Sequence, residues 1–499
     1  MVKRTFGFWF LIVGLFVAQL MVVNSFATAE SEEEVKKAPQ WDHPRVKEIF
    51  AILEVWLDAQ VAFERFPGLS IGILHDQELV WSRGFGYADR ENQQPATPTT
   101  IYSICSISKL FTSIGIMQLR DQGKLRLDDP VTDYLPWFDI QQGEKESPAP
   151  TIGALLSHSA GLPREADFSY WTGPDFAFPT REEVIEHLPE QCMLYPADRY
   201  YQYSNLGITM AGEIISQVSG MSYAEYIQAN VLGPLNLRDT TPEMPAEQRG
   251  DRLATGYGAL LRKGTRSEVP FFQAKGIAPA AGFASTVEDL AKFAAWQFRL
   301  LAKGGEEVLR ATTLREMHRV RWVDTDWKKE SYRGLGFEVE RQGDKTYVGH
   351  GGACPGYRTQ LSLNPKQKIA VVIMINAMGL NPGLYTFRAH QIASKALATA
   401  KKPPKEKDGK VEDLEIYEGI YQSAWVEAAV VRWQGELAIL HLLSGSPLEG
   451  LVKLKHDSDH RFHRVRKDGE LGEEILFELD ESGNVQRLRQ HNNYLEKVQ

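Results

Sequence analysis

From Ile101 to Leu119 the chain carries a single charged residue, Lys109; every other position is apolar, small or polar without charge. A helix of that composition has to be buried on nearly all sides. A chain of 499 residues has room for the large core this demands, and for two or three domains. Burying an unpaired ammonium is expensive, so Lys109 needs a partner or a task.

Ser106 stands three positions before Lys109, on the same helical face. A serine hydroxyl is a weak nucleophile until something removes its proton. A lysine in apolar surroundings can do so, because desolvation penalises its charged form and lowers its pKa. Unpaired N–H groups at a helix start then favour the oxyanion that develops on attack. Alone, S-x-x-K is a weak motif.

Strand patterns lie at both ends of a helical middle. "LSIGILHDQELVWSRGFGYA" predicts a hairpin turning at Asp76–Gln77. "SISKLFTSIGIMQLRDQGK", "NLGITMAGEIISQVSG" and "STVEDLAKFAAWQFRLLAKGG" have the helical period. Past residue 333, "LGFEVERQGDKTYVGHGG" and "YRTQLSLNPKQKIAVVIMINA" predict hairpins, and "YTFRAHQIASKALATA" a closing helix. Residues 41–400 therefore read as one domain of the α/β (α+β) class: an antiparallel sheet built from its two ends and flanked by helices, with an all-helical subdomain. "KKPPKEKDGK" (401–410) reads as a linker, and residues 411–499 as a small C-terminal all-β domain.

Lys3 and Arg4 precede a long apolar run ending at Ala27-Thr28-Ala29, the pattern of a signal peptide over residues 1–29; residues 30–40 are a charged linker. The expectation is a secreted or periplasmic protein, with an uncleaved membrane anchor as the alternative because the run is nearly long enough to span. The formal charge of −9, with no basic block among aromatics, argues against nucleic acid as a partner. Three cysteines, Cys105, Cys192 and Cys354, are too few for a disulfide scaffold and read as small buried hydrophobes; a bridge between Cys105 and Cys354 is the lesser expectation. No spacing suits a metal, no phosphate loop or dinucleotide fingerprint occurs, and no cofactor is implied. His158 reads as a structural histidine, and the aromatic stretch 168–173 as packing rather than as cleft lining or a lid.

Two further elements follow. Tyr203-Ser204-Asn205 opens a helix, with Ser204 or Asn205 as its N-cap. His350-Gly351-Gly352 closes a strand pattern, where positions without side chains let another backbone approach. With S-x-x-K, Y-x-N and H-x-G in this order, the chain resembles the serine β-lactamase and penicillin-binding-protein superfamily. The nearest branch is the class C-like one of esterases, D-aminopeptidases and D-stereospecific peptidases. "TIGALLSHSAGLP", "GPLNLRDT" and "PAAGFASTVEDLAKF" resemble segments flanking those motifs, and the likeness spans roughly residues 42–400.

The resemblance implies an acyl-enzyme mechanism. Ser106 is the expected nucleophile, with Lys109 and Tyr203 sharing the proton work; whether a neutral Lys109 or an ionised Tyr203 is the base stays open. Asn205 is expected to orient Lys109 or to bind a substrate amide. The N–H groups of Ser106 and Ala353 are expected to form the oxyanion hole, and His350, Gly351 and Gly352 to line the substrate strand. The C-terminal domain resembles lipocalin-like modules appended to some relatives, which gate the site or mediate oligomers. Where many relatives have Lys and Thr of K-T-G to hold a carboxylate, this chain has His350 and Gly351. That shifts the expected substrates towards esters, amides or peptides, including those of D-amino acids. The competing readings are a β-lactamase or D-Ala-D-Ala carboxypeptidase and, from another class, a non-catalytic scaffold keeping the fold.

Overall fold

A computed structural model describes residues 38–144, 146–323, 331–403 and 414–498. The signal and most of the first linker fall outside these residues, as do positions 404–413 of the second linker and the start of the C-terminal domain. No helix among the described residues is long and apolar enough to cross a membrane.

The described residues open with helix α1 (Pro44–Phe63) and the hairpin of β1 (Gly68–His75) and β2 (Glu78–Asp89). It returns to the same sheet only after the helical middle, through β3 (Glu338–Gln342), β4 (Lys345–Cys354), β5 (Tyr357–Asn364) and β6 (Ile369–Ile375). The central strand β1 pairs antiparallel with β6, Leu69 opposite Ile375 and Ile71 opposite Ile373. The spatial order is β2-β1-β6-β5-β4-β3, with short strands at both edges. The two ends of the sequence thus make one sheet, as the strand patterns predict.

β6 is apolar throughout because both of its faces are covered. Val371, Ile373 and Ile375 point towards α1 and the closing helix α5 (Pro382–Lys401), while Ala370, Val372 and Met374 join the core of the helical side. That side holds α2 (Ser108–Asp121), α3 (Asn205–Ser219) and α4 (Val287–Lys303). Every residue of α2 from Ser108 to Leu119 is buried. Thr286 caps α4, accepting from the Asp289 N–H.

Eight strands, from Gly419–Gln422 to Asn493–Lys497, close into a barrel in sequence order. Alternation divides its strand Glu427–Trp433 between two cores: Ala428 and Val430 face the barrel interior, and Ala429, Val431 and Trp433 pack with α1 and α5. Polar contacts fix the docking, from Trp56 Nε1 to the Ser444 carbonyl (2.8 Å) and from Gln60 Nε2 to that of Leu442 (2.7 Å). Helix α1 lies between sheet and barrel, which explains its apolar residues on two sides.

The cysteines differ from expectation. Cys105 and Cys354 form a disulfide, and Cys192 is exposed rather than buried. The pairing arises because β4 packs directly against the turn that precedes α2.

Candidate active site

Ser106 sits in the 3₁₀ turn Cys105–Ile107 that runs into α2, and is partly open to a cleft. The Ser108 hydroxyl ties this turn together, donating to the Cys105 carbonyl and accepting from the Phe283 N–H. Lys109 is completely buried. Its Nζ donates to Ser106 Oγ at 3.1 Å and to the Ala280 carbonyl at 2.7 Å. The latter belongs to the "PAAGF" segment leading into α4. No carboxylate forms an ion pair with Lys109 among the described residues. Burial lowers its pKa from 10.5 to about 7, against the raising influence of Glu165.

Tyr203 immediately precedes the N-cap of α3. Ser204 is that cap, accepting from the Gly207 N–H at 2.8 Å and donating to the Pro163 carbonyl at 2.6 Å. Tyr203 and Ser106 line the same lobe of the cleft, and the Ser106 hydroxyl exerts a lowering influence on the Tyr203 pKa. Tyr203 keeps some surface open to the cleft, yet the protein packed round its hydroxyl raises its pKa well above 10. Lys109 Nζ and the Arg164 guanidinium stand 4.9 and 4.8 Å from its ring centre. His158 is buried, accepts from the Ser204 N–H at 3.2 Å, and packs against the Tyr203 ring at 4.4 Å. The structural role read for it stands.

β4 brings the third element. His350 Nδ1 donates to the Gly351 carbonyl at 2.6 Å, and burial depresses its pKa to about 4, so it is neutral at physiological pH. Gly352 is required by proximity: a methyl there would lie 2.4 Å from the Ile104 carbonyl oxygen and 2.1 Å from Thr359 Oγ1. Ala353 follows, facing Ser106 across the cleft.

Of the two roles expected of Asn205, contact with Lys109 is not seen, while the residue does line the cleft. Its Nδ2 donates to both Glu165 oxygens at 2.9 Å, and its buried Oδ1 has no hydrogen-bond partner. It does not bond Lys109, whose partners are Ser106 and Ala280. Glu165 in turn accepts from the Tyr170 hydroxyl and pairs with Arg164 at 3.1 Å.

The cleft has two lobes. One, of about 350 Å³, is polar and includes Tyr203, Arg333, Glu338, His350 and Arg358 in its lining. The other, of about 360 Å³, is mainly apolar, with Trp171, Phe176, Val269 and Met378 beside Asn205 and Glu165. Ser106, Arg164 and Ala353 border both. From the stretch 168–173, then, Tyr170 packs in the core and Trp171 lines the cleft. Among the described residues, none from the barrel lines either lobe.

Sequence reasoning missed the charged lining. Arg333 pairs with Glu338 at 3.0 Å and donates to the Tyr201 hydroxyl at 2.8 Å. Arg358 makes no ion pair among the described residues, and its buried Nε has no hydrogen-bond partner. A signal for it existed: counting back across the turn at Pro355–Gly356 sets Arg358 opposite Ala353. Among the described residues, no three His, Cys, Asp or Glu side chains converge as a metal would require.

The beta-lactamase family model matches residues 53–394. Beta-lactamase-like protein 2 of Dictyostelium discoideum is 26% identical over 385 residues, 76% of this chain and 68% of that one. The octameric penicillin-binding protein homologue from Pyrococcus abyssi superposes with a TM-score of 0.61 at 26% identity, over 90% of this chain and all of the other. The D-amino acid amidase from Ochrobactrum anthropi SV3 shares the fold, with a TM-score of 0.56 at 23% identity over 71% of this chain and 98% of that one.

Proposed function

The chain belongs to the beta-lactamase family, and we propose that it is an exported serine hydrolase working through a Ser106 acyl-enzyme. Its substrates are esters, amides or peptides, including those of D-amino acids. One observation carries this reading: a fully buried amine, without an ion-pair partner among the described residues and with its pKa near 7, donates a hydrogen bond to the Ser106 hydroxyl. A scaffold has no use for so costly an arrangement.

Of the two bases the sequence leaves open, the pKa directions favour neutral Lys109. Lys109 is readily neutral and Tyr203 stays protonated. Neutral Lys109 therefore takes the Ser106 proton as Oγ attacks the carbonyl carbon. The N–H groups of Ser106 and Ala353 stabilise the oxyanion. Tyr203 gives its proton to the departing heteroatom and regains one from the Lys109 ammonium. Water then enters where the leaving group left, and the same transfers run in reverse to release the acid and restore Ser106. The two lobes flanking the Ser106–Ala353 pair hold the two sides of the scissile bond.

Intact-mass spectrometry after exposure to a fluorophosphonate tests the reading: one adduct is expected, lost in Ser106→Ala. No adduct, or one that survives the substitution, overturns it.

A second reading, β-lactamase or D-Ala-D-Ala carboxypeptidase activity, is favoured by Arg358, a cation without a counter-ion among the described residues in the polar lobe. It offers a carboxylate the charge that neutral His350 and Gly351 do not. Rates on a chromogenic cephalosporin, a short-chain nitrophenyl ester and D-alanyl nitroanilide rank the two readings. Cephalosporin turnover faster by orders of magnitude, and lost in Arg358→Ala, puts the second one first.

A further inference from the structure

The disulfide joins Cys105, the residue before the nucleophile, to Cys354, the residue after Ala353. Both cysteines are buried, and the Ser103 hydroxyl lies against their sulfurs, 3.7 Å from Cys105 and 3.3 Å from Cys354. Each is the immediate chain neighbour of a residue bordering both lobes of the cleft. Gly352 of β4 packs on the Ile104 carbonyl, which also accepts from Thr359 Oγ1 of the adjoining β5 at 3.2 Å. Cys105 has φ of +50°, a left-handed conformation disfavoured for any residue with a β-carbon. The turn presenting Ser106 is therefore not one its own sequence prefers, and a covalent tie to β4 holds it there.

A bridge meant only to restrict the unfolded chain could sit anywhere that spans a long loop. This one sits where it sets the spacing of two hydrogen-bond donors. Resting on the Ser106 reading above, we infer that Cys105–Cys354 is a positioning device for the oxyanion hole: while it is intact the N–H groups of Ser106 and Ala353 converge on one oxygen, and opening it slows acyl transfer. Displacing a reacting group by about 1 Å costs on the order of 10²-fold in rate, and losing one oxyanion donor about 10² to 10³-fold. The bond forms in oxidising surroundings, so the enzyme reaches its full rate only there.

The test uses the full chain in three forms without the bond: wild type after dithiothreitol, C105A/C354A, and C105G/C354A, whose glycine adopts a positive φ freely. Dithiothreitol supplies two electrons and two protons, leaving two cysteine thiols and its own cyclic disulfide. Treatment continues until alkylation in denaturant counts three thiols by mass, against one, Cys192, in the oxidised chain. Hydrolysis of a nitrophenyl ester is followed below each form's melting temperature and normalised to active sites titrated with fluorophosphonate, so that unfolded molecules are not counted. The expected result is kcat per titrated site at least about 10-fold lower, KM within about threefold, and an unchanged pH midpoint because Lys109 is untouched. A smaller fall in kcat, whatever the melting temperature does, overturns the inference and leaves the bond a stabilising staple. Failure of the oxidised wild type to label at Ser106 overturns the hydrolase reading instead.

Discussion

Replacing Lys109 by methionine is expected to abolish activity and yet stabilise the fold. The ammonium is wholly buried, with two neutral oxygens as its hydrogen-bond partners. Its pKa falls from 10.5 to about 7, first through burial. At about 1.4 kcal/mol per tenfold, that difference is about 5 kcal/mol against the charged form. At pH 7 roughly half the amine is neutral, against roughly three in ten thousand for an ordinary lysine, about a 10³-fold gain in available base. Between these two pKa values the unfolded chain holds a proton that the folded one has lost, so wild-type stability rises with pH through that window. The penalty is complete below pH 7 and fades towards pH 10. Lys109→Met has no such group, so its advantage over wild type is largest below pH 7, at most about 5 kcal/mol, and shrinks as pH rises. Denaturant unfolding of both proteins from pH 6 to 9 measures the stability difference. In parallel, kcat/KM for a nitrophenyl ester is expected to climb with pH and level off above about 7, while Lys109→Arg loses at least about 10³-fold with no inflection. A wild-type midpoint near 10, or a stability difference that ignores pH, would refute the argument.

Three other perturbations have defined outcomes. Tyr203→Phe removes the hydroxyl that the proposed mechanism uses as the proton donor beside Ser106 and is expected to lower kcat by about 10² to 10⁴-fold with little change in KM, read from steady-state kinetics. Burial favours the neutral form of Glu338, but His350, Arg333 and the Gly351 N–H hold its pKa below 4.5. The stability this contributes is present above pH 4.5 and lost as pH falls through the folded pKa. Glu338→Gln is thus expected to cost about 1 to 3 kcal/mol at pH 7, with the gap to wild type closing in acid, as thermal melts at pH 3 and 7 will register. Gly352→Ala drives a methyl into the Ile104 carbonyl and Thr359, so both melting temperature and kcat should fall, the former by the equivalent of about 1 to 3 kcal/mol.

Lys109, Tyr203 and His350 were legible as candidate site residues because each breaks a local pattern: one cation in an uncharged run, a tyrosine beside a helix cap, a histidine followed by glycines in a strand. The hairpins and the barrel were legible from turn residues between alternating runs. Helix α1 was not, since it buries residues against both sheet and barrel and shows no single apolar stripe. Arg333, Glu338 and Arg358 looked like ordinary charges on strands; only pairing across β3, β4 and β5 turns them into the lining of a cleft. The disulfide stood only as the lesser expectation for a related reason. Its cysteines are 249 positions apart, and only their places beside the first and third motifs hint that they meet.

That β1 is zipped to β6, Leu69 against Ile375, bears on how the polypeptide is made. A ribosome delivers the serine and its amine early, but the strand carrying His350 emerges far later, and the central sheet stays incomplete until β6 follows. Translation products broken off before then carry Ser106 and Lys109 without the segment from His350 to Ala353, and one half of a sheet with the β1 edge unpaired, an edge open to pairing with other chains.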